Sequence, residues 1–283
     1  MSAIYTTATA FRQALEARLN DLARRERFDI QRLRRQVAFD RLLCRLFCEP
    51  AAPWILKGGY AMELRLAKSR TTRDIDLSAR LPIPGVGRLP ERILKLLQTA
   101  AALNMDDFFD FAIGRPIKDL AGVPYGGARY PVEARMDGRV FAKFHLDVAT
   151  GDPMLEPHEN VQGRDWLGFA GIAARTFPAI SKEQQFAEKL HAYTLPRIGG
   201  TNTRVRDLVD LYLLFRLGLD IQLVRNAIHA IFARRKTHEM SVSLPPPPDD
   251  WTRPFAALAK ECSVDPDIRA AFDVIASFVA GLK

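Results

Sequence analysis

Apolar residues recur at helical spacing along the first fifty positions. Leu15, Leu19 and Leu22 lie three or four apart, and Leu33, Val37, Leu42 and Leu46 continue such a stripe further on. The pattern predicts helices over 8–26 and 29–48, the second stopped by Pro50 and Pro53. Trp54-Ile55-Leu56 is a short apolar run ending at Gly58-Gly59, which reads as a strand and a turn. A short helix is predicted over 60–66, a strand over 73–79, a Pro- and Gly-rich loop over 81–88, and an amphipathic helix over 89–102. The period then falls to two. Strands are predicted over 108–113, 128–136 and 139–148, with Asp137-Gly138 as a tight hairpin turn between the last two. The intervening 114–127 reads as a surface loop whose Arg115, Lys118 and Tyr125 are candidates for holding an anionic ligand. Beyond Pro178 the helical period returns over 182–193, 205–217, 221–233 and 266–282. Pro245 to Pro248 form a stiff spacer before the last of these. The class is therefore α+β: a lobe with a mixed sheet and N-terminal basic helices over 1–178, then a helical C-terminal lobe over 179–283.

Composition narrows the setting. The chain has 283 residues, is 48% hydrophobic and contains 17 Phe and 3 Trp, ample for a buried core and against global disorder. No apolar stretch approaches the roughly 18 residues of a membrane span, and the N-terminus has no secretory pattern. The expected setting is the cytoplasm, with no membrane partner. Of three Cys, Cys44 and Cys48 lie four apart in a helical pattern and read as core residues, not a disulfide or metal site. The net charge is +8, concentrated in 12–45, where ten arginines face five acids. Arg34 and Arg35 belong to this run. Such a face attracts polyanions such as RNA, although a solvated helix with internal ion pairs would read the same.

The candidate chemistry lies in Arg73-Asp74-Ile75-Asp76. On a strand Asp74 and Asp76 project to one side and Ile75 to the other. Paired carboxylates repel unless a cation separates them, and Mg²⁺ suits hard oxygen ligands while keeping positions open for phosphates. Arg73 is expected on the opposite face. An Asp-x-Asp pair by itself is common on exposed strands. Here a Gly-Gly pair stands fifteen residues upstream, offering unobstructed backbone N–H groups to a phosphate. A third acid, Asp147, alternates with apolar neighbours and needs a partner. The five His, His145 and His191 among them, have no metal-ligand spacing and read as packing or surface residues.

Leu56-Lys57-Gly58-Gly59-Tyr60-Ala61-Met62 and Arg70-Thr71-Thr72-Arg73-Asp74-Ile75-Asp76-Leu77 resemble the first motif of the AbiEii family of nucleotidyltransferase toxins, of the DNA polymerase β-like nucleotidyltransferase superfamily. Phe186-Ala187-Glu188-Lys189-Leu190-His191-Ala192 resembles its second motif, and the segment from Thr203 to Tyr212 its late Arg-rich helix. The resemblance covers roughly 30–220, in the family's order. It implies that Asp74, Asp76 and Asp147 hold Mg²⁺, or Mn²⁺ in its place. Lys57, Gly58 and Gly59 would bind the nucleotide, and Lys189 would reach the triphosphate. Asp207 would orient a basic group, with Asp210 the alternative for that role. Arg204 and Arg206 would face RNA. Many relatives carry Gly-Ser where this chain has Gly58-Gly59, so a serine hydroxyl is missing. The implied activity is transfer of NMP from an NTP to the 3′ end of tRNA, which blocks aminoacylation, in a toxin paired with an antitoxin. The rivals are a transferase that AMPylates protein and a non-catalytic RNA- or partner-binding protein. The intact set Asp74, Asp76, Asp147 and Lys189 speaks against the latter.

Overall fold

A computed structural model describes residues 4–120, 124, 126–196, 204–240 and 243–282; Tyr125 and Thr203 lie outside them. The chain divides into two compact units. One comprises Met1–Arg65, Thr71–Gly151 and Asn160–Ala179, the other Leu66–Arg70, Asp152–Glu159 and Ile180–Lys283.

The first unit opens with α1 (Ala8–Glu26) and α2 (Ile30–Leu46). Thr7 and Asp29 cap them, their side chains accepting the N–H groups of Ala10 and Gln31. There follow β1 (Trp54–Lys57), α3 (Gly58–Arg65), β2 (Asp74–Ala79), α4 (Leu89–Ala101), β3 (Phe109–Ile113), β4 (Lys118–Asp119), β5 (Gly127–Met136), β6 (Arg139–Thr150), β7 (Glu159–Gln162) and β8 (Thr176–Ala179). The sheet order is β3-β5-β6-β2-β1-β8-β7, with β4 paired to β5. β2 is parallel to β6 but antiparallel to β1, so the sheet is mixed, as the pattern predicts. The β5–β6 turn places Asp137 at φ 55° and Gly138 at φ 68°, the type I′ geometry expected of Asp-Gly. β4 forms inside the segment expected as loop. β7 and β8 are four-residue strands that no alternation announced; only their pairing makes them strands. The Gly-Gly pair forms the first turn of α3 and does not precede it.

One sheet face is apolar. Ile75, Leu77, Tyr130, Leu146 and Val148 are all fully buried, and Phe39 of α2 meets Phe144 and Tyr60 edge-on at 4.7 and 4.9 Å. Each large side chain buried this way contributes about 1.5–3 kcal/mol. Much of the basic segment is turned inward or paired. Arg41 and Arg45 reach the buried Asp107 at 2.6 and 2.7 Å, and Arg45 also donates to the Phe109 carbonyl at 2.8 Å. Burial works against the Asp107 charge, but the two guanidinium groups outweigh it and lower its pKa. Arg34 pairs with Glu16 at 2.8 Å and Arg25 with Asp21 at 2.9 Å. The N-terminal charge is therefore not one uniform basic face.

The second unit holds α5 (Lys182–Thr194), α6 (Val205–Arg216), α7 (Ile221–Arg235), α8 (Thr252–Cys262) and α9 (Ile268–Ala280). Phe186 and Phe215 converge on Phe278 at 5.4 and 5.1 Å. α8 was not expected. The proline spacer is tied down: the Tyr193 hydroxyl donates to the Pro245 carbonyl at 2.8 Å. Among the described residues no helix is long and apolar enough to cross a membrane. Cys44 and Cys262 are buried, Cys48 is partly so, and all three are free thiols.

Candidate functional site

β2 begins at Asp74, so Asp74 and Asp76 share one face while Ile75 and Leu77 enter the core. Strand register assembles the rest of that face. Asp74 lies beside His145 and Asp76 beside Asp147 in the parallel β2–β6 pair. Lys57 is opposite Asp76, and Arg129 is opposite Asp147. Directly paired residues point the same way. Three carboxylates, a lysine, an arginine and a histidine thus share one face across β1, β2, β6 and β5.

Arg129 joins the acids. Its Nε and Nη2 donate to the two Asp147 oxygens, both at 2.8 Å, and Nη2 also reaches Asp74 at 3.3 Å. The hydrogen bonds to Asp147 hold the guanidinium pKa above its ordinary range. His145 Nδ1 lies 3.3 Å from the other Asp74 oxygen. Sequence reading missed Arg129 and set His145 aside. The hairpin turn alone would set Arg129 opposite Leu146; a register shift at Ala134/Arg135 sets it opposite Asp147.

The start of α3 abuts this face. Gly58 has φ +68°, and a Cβ there would overlap the Asp76 carboxylate. Only glycine brings the backbone this close to the acid. At Gly59 a Cβ would stand 2.5 Å from the Thr72 hydroxyl. A hydroxyl therefore lies next to the position where many relatives carry serine, supplied by another residue.

In the second unit, Lys189 Nζ lies 2.9 Å from Asp207 and 2.8 Å from Asp210. Arg70 grips Asp210 with Nε at 2.8 Å and Nη2 at 2.7 Å. Burial opposes the lysine charge, yet the two carboxylates raise its pKa above the usual range. Burial likewise pushes Asp210 up, but Lys189 and Arg70 prevail and hold it at about 2. Lys189 thus meets both Asp207 and Asp210, the two acids the sequence offers as alternatives. Arg204 is 3.4 Å from Asp207, and Arg206 is exposed.

Arg35 and Arg73 line a cavity of about 740 Å³ with Asp74, Arg129, Lys143 and His145. Arg73 was expected on the opposite strand face. It precedes the first residue of β2 and lines this cavity together with residues of both sheet faces, His145 from one and the core residue Phe144 from the other.

The donor chemistry of Asp74, Asp76 and Asp147 fits a hard divalent cation: three carboxylates on one face of adjacent strands. As arranged here they do not enclose one. Among the described residues no three His, Cys, Asp or Glu side chains converge as a metal cage, and the Arg129 guanidinium links Asp147 to Asp74.

Residues 41–276 match the family described as nucleotidyl transferase AbiEii toxin, type IV TA system. Among solved structures the chain is similar to MenT4, a nucleotidyltransferase toxin from Mycobacterium tuberculosis H37Rv. The identity is 17% over 87% of this chain and 80% of that one, with a TM-score of 0.50. It is also similar to JHP933 from Helicobacter pylori, at 15% identity over 90% of this chain and 94% of that one, with a TM-score of 0.49. At such identity the likeness to MenT4 is one of fold. No curated protein sequence matches.

Proposed function

This chain belongs to the AbiEii family of nucleotidyltransferase toxins of type IV toxin–antitoxin systems, and on that premise we propose that it transfers NMP from an NTP to the 3′ end of tRNA. The acceptor hydroxyl oxygen attacks the α-phosphorus, the bond to the pyrophosphate breaks, and the hydroxyl proton passes to a carboxylate or to water. The capped tRNA end can no longer be aminoacylated, and a cognate antitoxin holds the toxin in check.

The observation that carries this reading is the shared face of Asp74, Asp76 and Asp147 against the start of α3. Asp74, Asp76 and Asp147 would hold Mg²⁺, or Mn²⁺. When bound, the ion supplies charge neutralisation for the attacking oxygen and the leaving group. The first turn of α3, begun by Gly58 and Gly59, would bind phosphate oxygens through backbone N–H groups, with Lys57 on the strand that precedes it. Lys189, kept charged by Asp207 and Asp210, is the cation assigned to the triphosphate. Catalysis of this kind is positioning and electrostatics, with little covalent work by the protein.

The test is to incubate the protein with Mg²⁺, each labelled NTP and total RNA. Label in tRNA-sized bands supports the reading; label on protein points instead to AMPylation, and label on neither to a binding protein. Asp76→Ala should lower transfer about a hundredfold or more and leave the thermal melt unchanged. An active Asp76→Ala protein would refute the site.

A further inference from the structure

The cavity beside Asp74 contains two cations that the protein itself does not use. Lys143 is committed to Glu133 at 2.8 Å, and Arg129 to Asp147 and Asp74. Arg35 and Arg73 have no hydrogen bond or ion pair with any described residue, and the Arg35 Nε is buried without a partner. Leaving a buried donor unsatisfied costs about 1–3 kcal/mol. A ligand that brings oxygens to it recovers that penalty. The guanidinium fork fits phosphate oxygens in particular. Pro131, Val132 and Phe144 give the same cavity an apolar wall, suited to a ribose or base. Its volume, about 740 Å³, falls in the range of true ligand sites, about 300–1,000 Å³.

Phosphate reaches a nucleotidyltransferase from two sources, the NTP and the acceptor strand. The reading above gives the first turn of α3, next to Asp76, to the NTP phosphates, whereas this cavity is lined by Asp74 and not by Asp76 or either glycine. A second phosphate-binding place serves the second substrate. We propose that this groove holds the single-stranded RNA end that accepts the nucleotide, with Arg35 and Arg73 on its backbone phosphates. The identity of that strand as acceptor rests on the transferase reading above. Arg34, the immediate neighbour of Arg35, is spent on Glu16 and takes no part.

The experiment is a fluorescence-anisotropy titration over a salt series. Its probe is a short fluorescein-labelled single-stranded oligoribonucleotide with a free 3′ hydroxyl, with no NTP present. Wild type is compared with Arg35→Gln, Arg73→Gln, their double variant and Arg34→Gln, each checked by thermal melt. Each lost phosphate contact to a single strand lowers the slope of log affinity against log salt by about 0.7. The double variant should therefore bind RNA about tenfold or more weakly, with a slope lower by about 1.4. Its affinity for a fluorescent NTP analogue should stay within about twofold of wild type, and Arg34→Gln should match wild type for RNA. A double variant with wild-type RNA affinity and slope would overturn the proposal. So would a loss confined to the NTP analogue, which would make the groove a nucleotide site, or an equal loss in Arg34→Gln, which would make the attraction diffuse. If RNA binding follows the expected pattern but no labelled nucleotide ever enters RNA, the reaction assigned above fails while the RNA groove stands.

Discussion

Arg129 bridges the two sides of the carboxylate cluster, donating twice to Asp147 and once to Asp74. Its positive charge and a divalent cation compete for the same oxygens. Replacing it with an apolar residue of similar reach removes the charge that offsets Asp147 and Asp74, and those acids then favour a cation more strongly. Arg129→Met should thus bind Mn²⁺ about tenfold or more tightly than wild type in the absence of nucleotide, measured by isothermal titration. Unchanged or weaker binding would mean that the arginine only orients Asp147. The acids themselves were legible in the sequence because strand alternation is a local rule. Arg129 was not. Counting back from the Asp137-Gly138 turn pairs Met136 with Arg139 and Arg135 with Val140, which would set Arg129 opposite Leu146. A bulge at Ala134/Arg135 moves the register by one and sets it opposite Asp147. That extra residue turns the arginine from the apolar face to the polar one, and nothing in the local sequence marks it.

At the level of elements, α3 and the segment before β2 form one fitted piece. The Thr72 side chain fills the space a Cβ would need at Gly59, so restoring the serine common among relatives is an overpacking change here. Gly59→Ser should lower stability by about 1–3 kcal/mol, and Gly59→Ser/Thr72→Ala should recover most of it, read from urea denaturation of the three proteins. Full additivity in that cycle would mean that the two side chains do not share the space. The long elements were readable because their apolar period repeats many times. Asp207 and Asp210, three apart on α6, sit on one helix face, which is why both reach Lys189. β7, β8 and the two-residue β4 escaped. Val161 is the only buried apolar residue of β7, so long-range pairing, not composition, makes it a strand.

Across the whole molecule, net charge proved a poor guide to exposed charge. The count of ten arginines in 12–45 overstated the basic surface, because burial and pairing consume part of it. Burial also governs a titratable group in the second unit. His191 accepts from Arg235 Nη1 at 3.4 Å, with Thr237 Oγ1 2.8 Å from its other nitrogen. Burial, then the Arg235 charge, lowers its pKa from 6.5 to about 4. The fold therefore favours the neutral ring while the unfolded chain protonates near 6.5. Stability from this group is complete above that pH and is lost as pH falls toward 4, by about 3 kcal/mol at most. Urea midpoints should decline across this window in wild type and less steeply in His191→Gln; parallel curves would refute the assignment. A last consequence belongs to the buried pairing of Arg41 and Arg45 with Asp107. An oily helix face tolerates small rotations, but two guanidinium groups on successive turns that share one carboxylate do not. They act as an index pin for α2. Inserting a single residue between Arg35 and Arg41 would leave the pin engaged and swing Arg35 by about 100°, carrying that charge away from the groove and the buried Leu33 out of its place in the core.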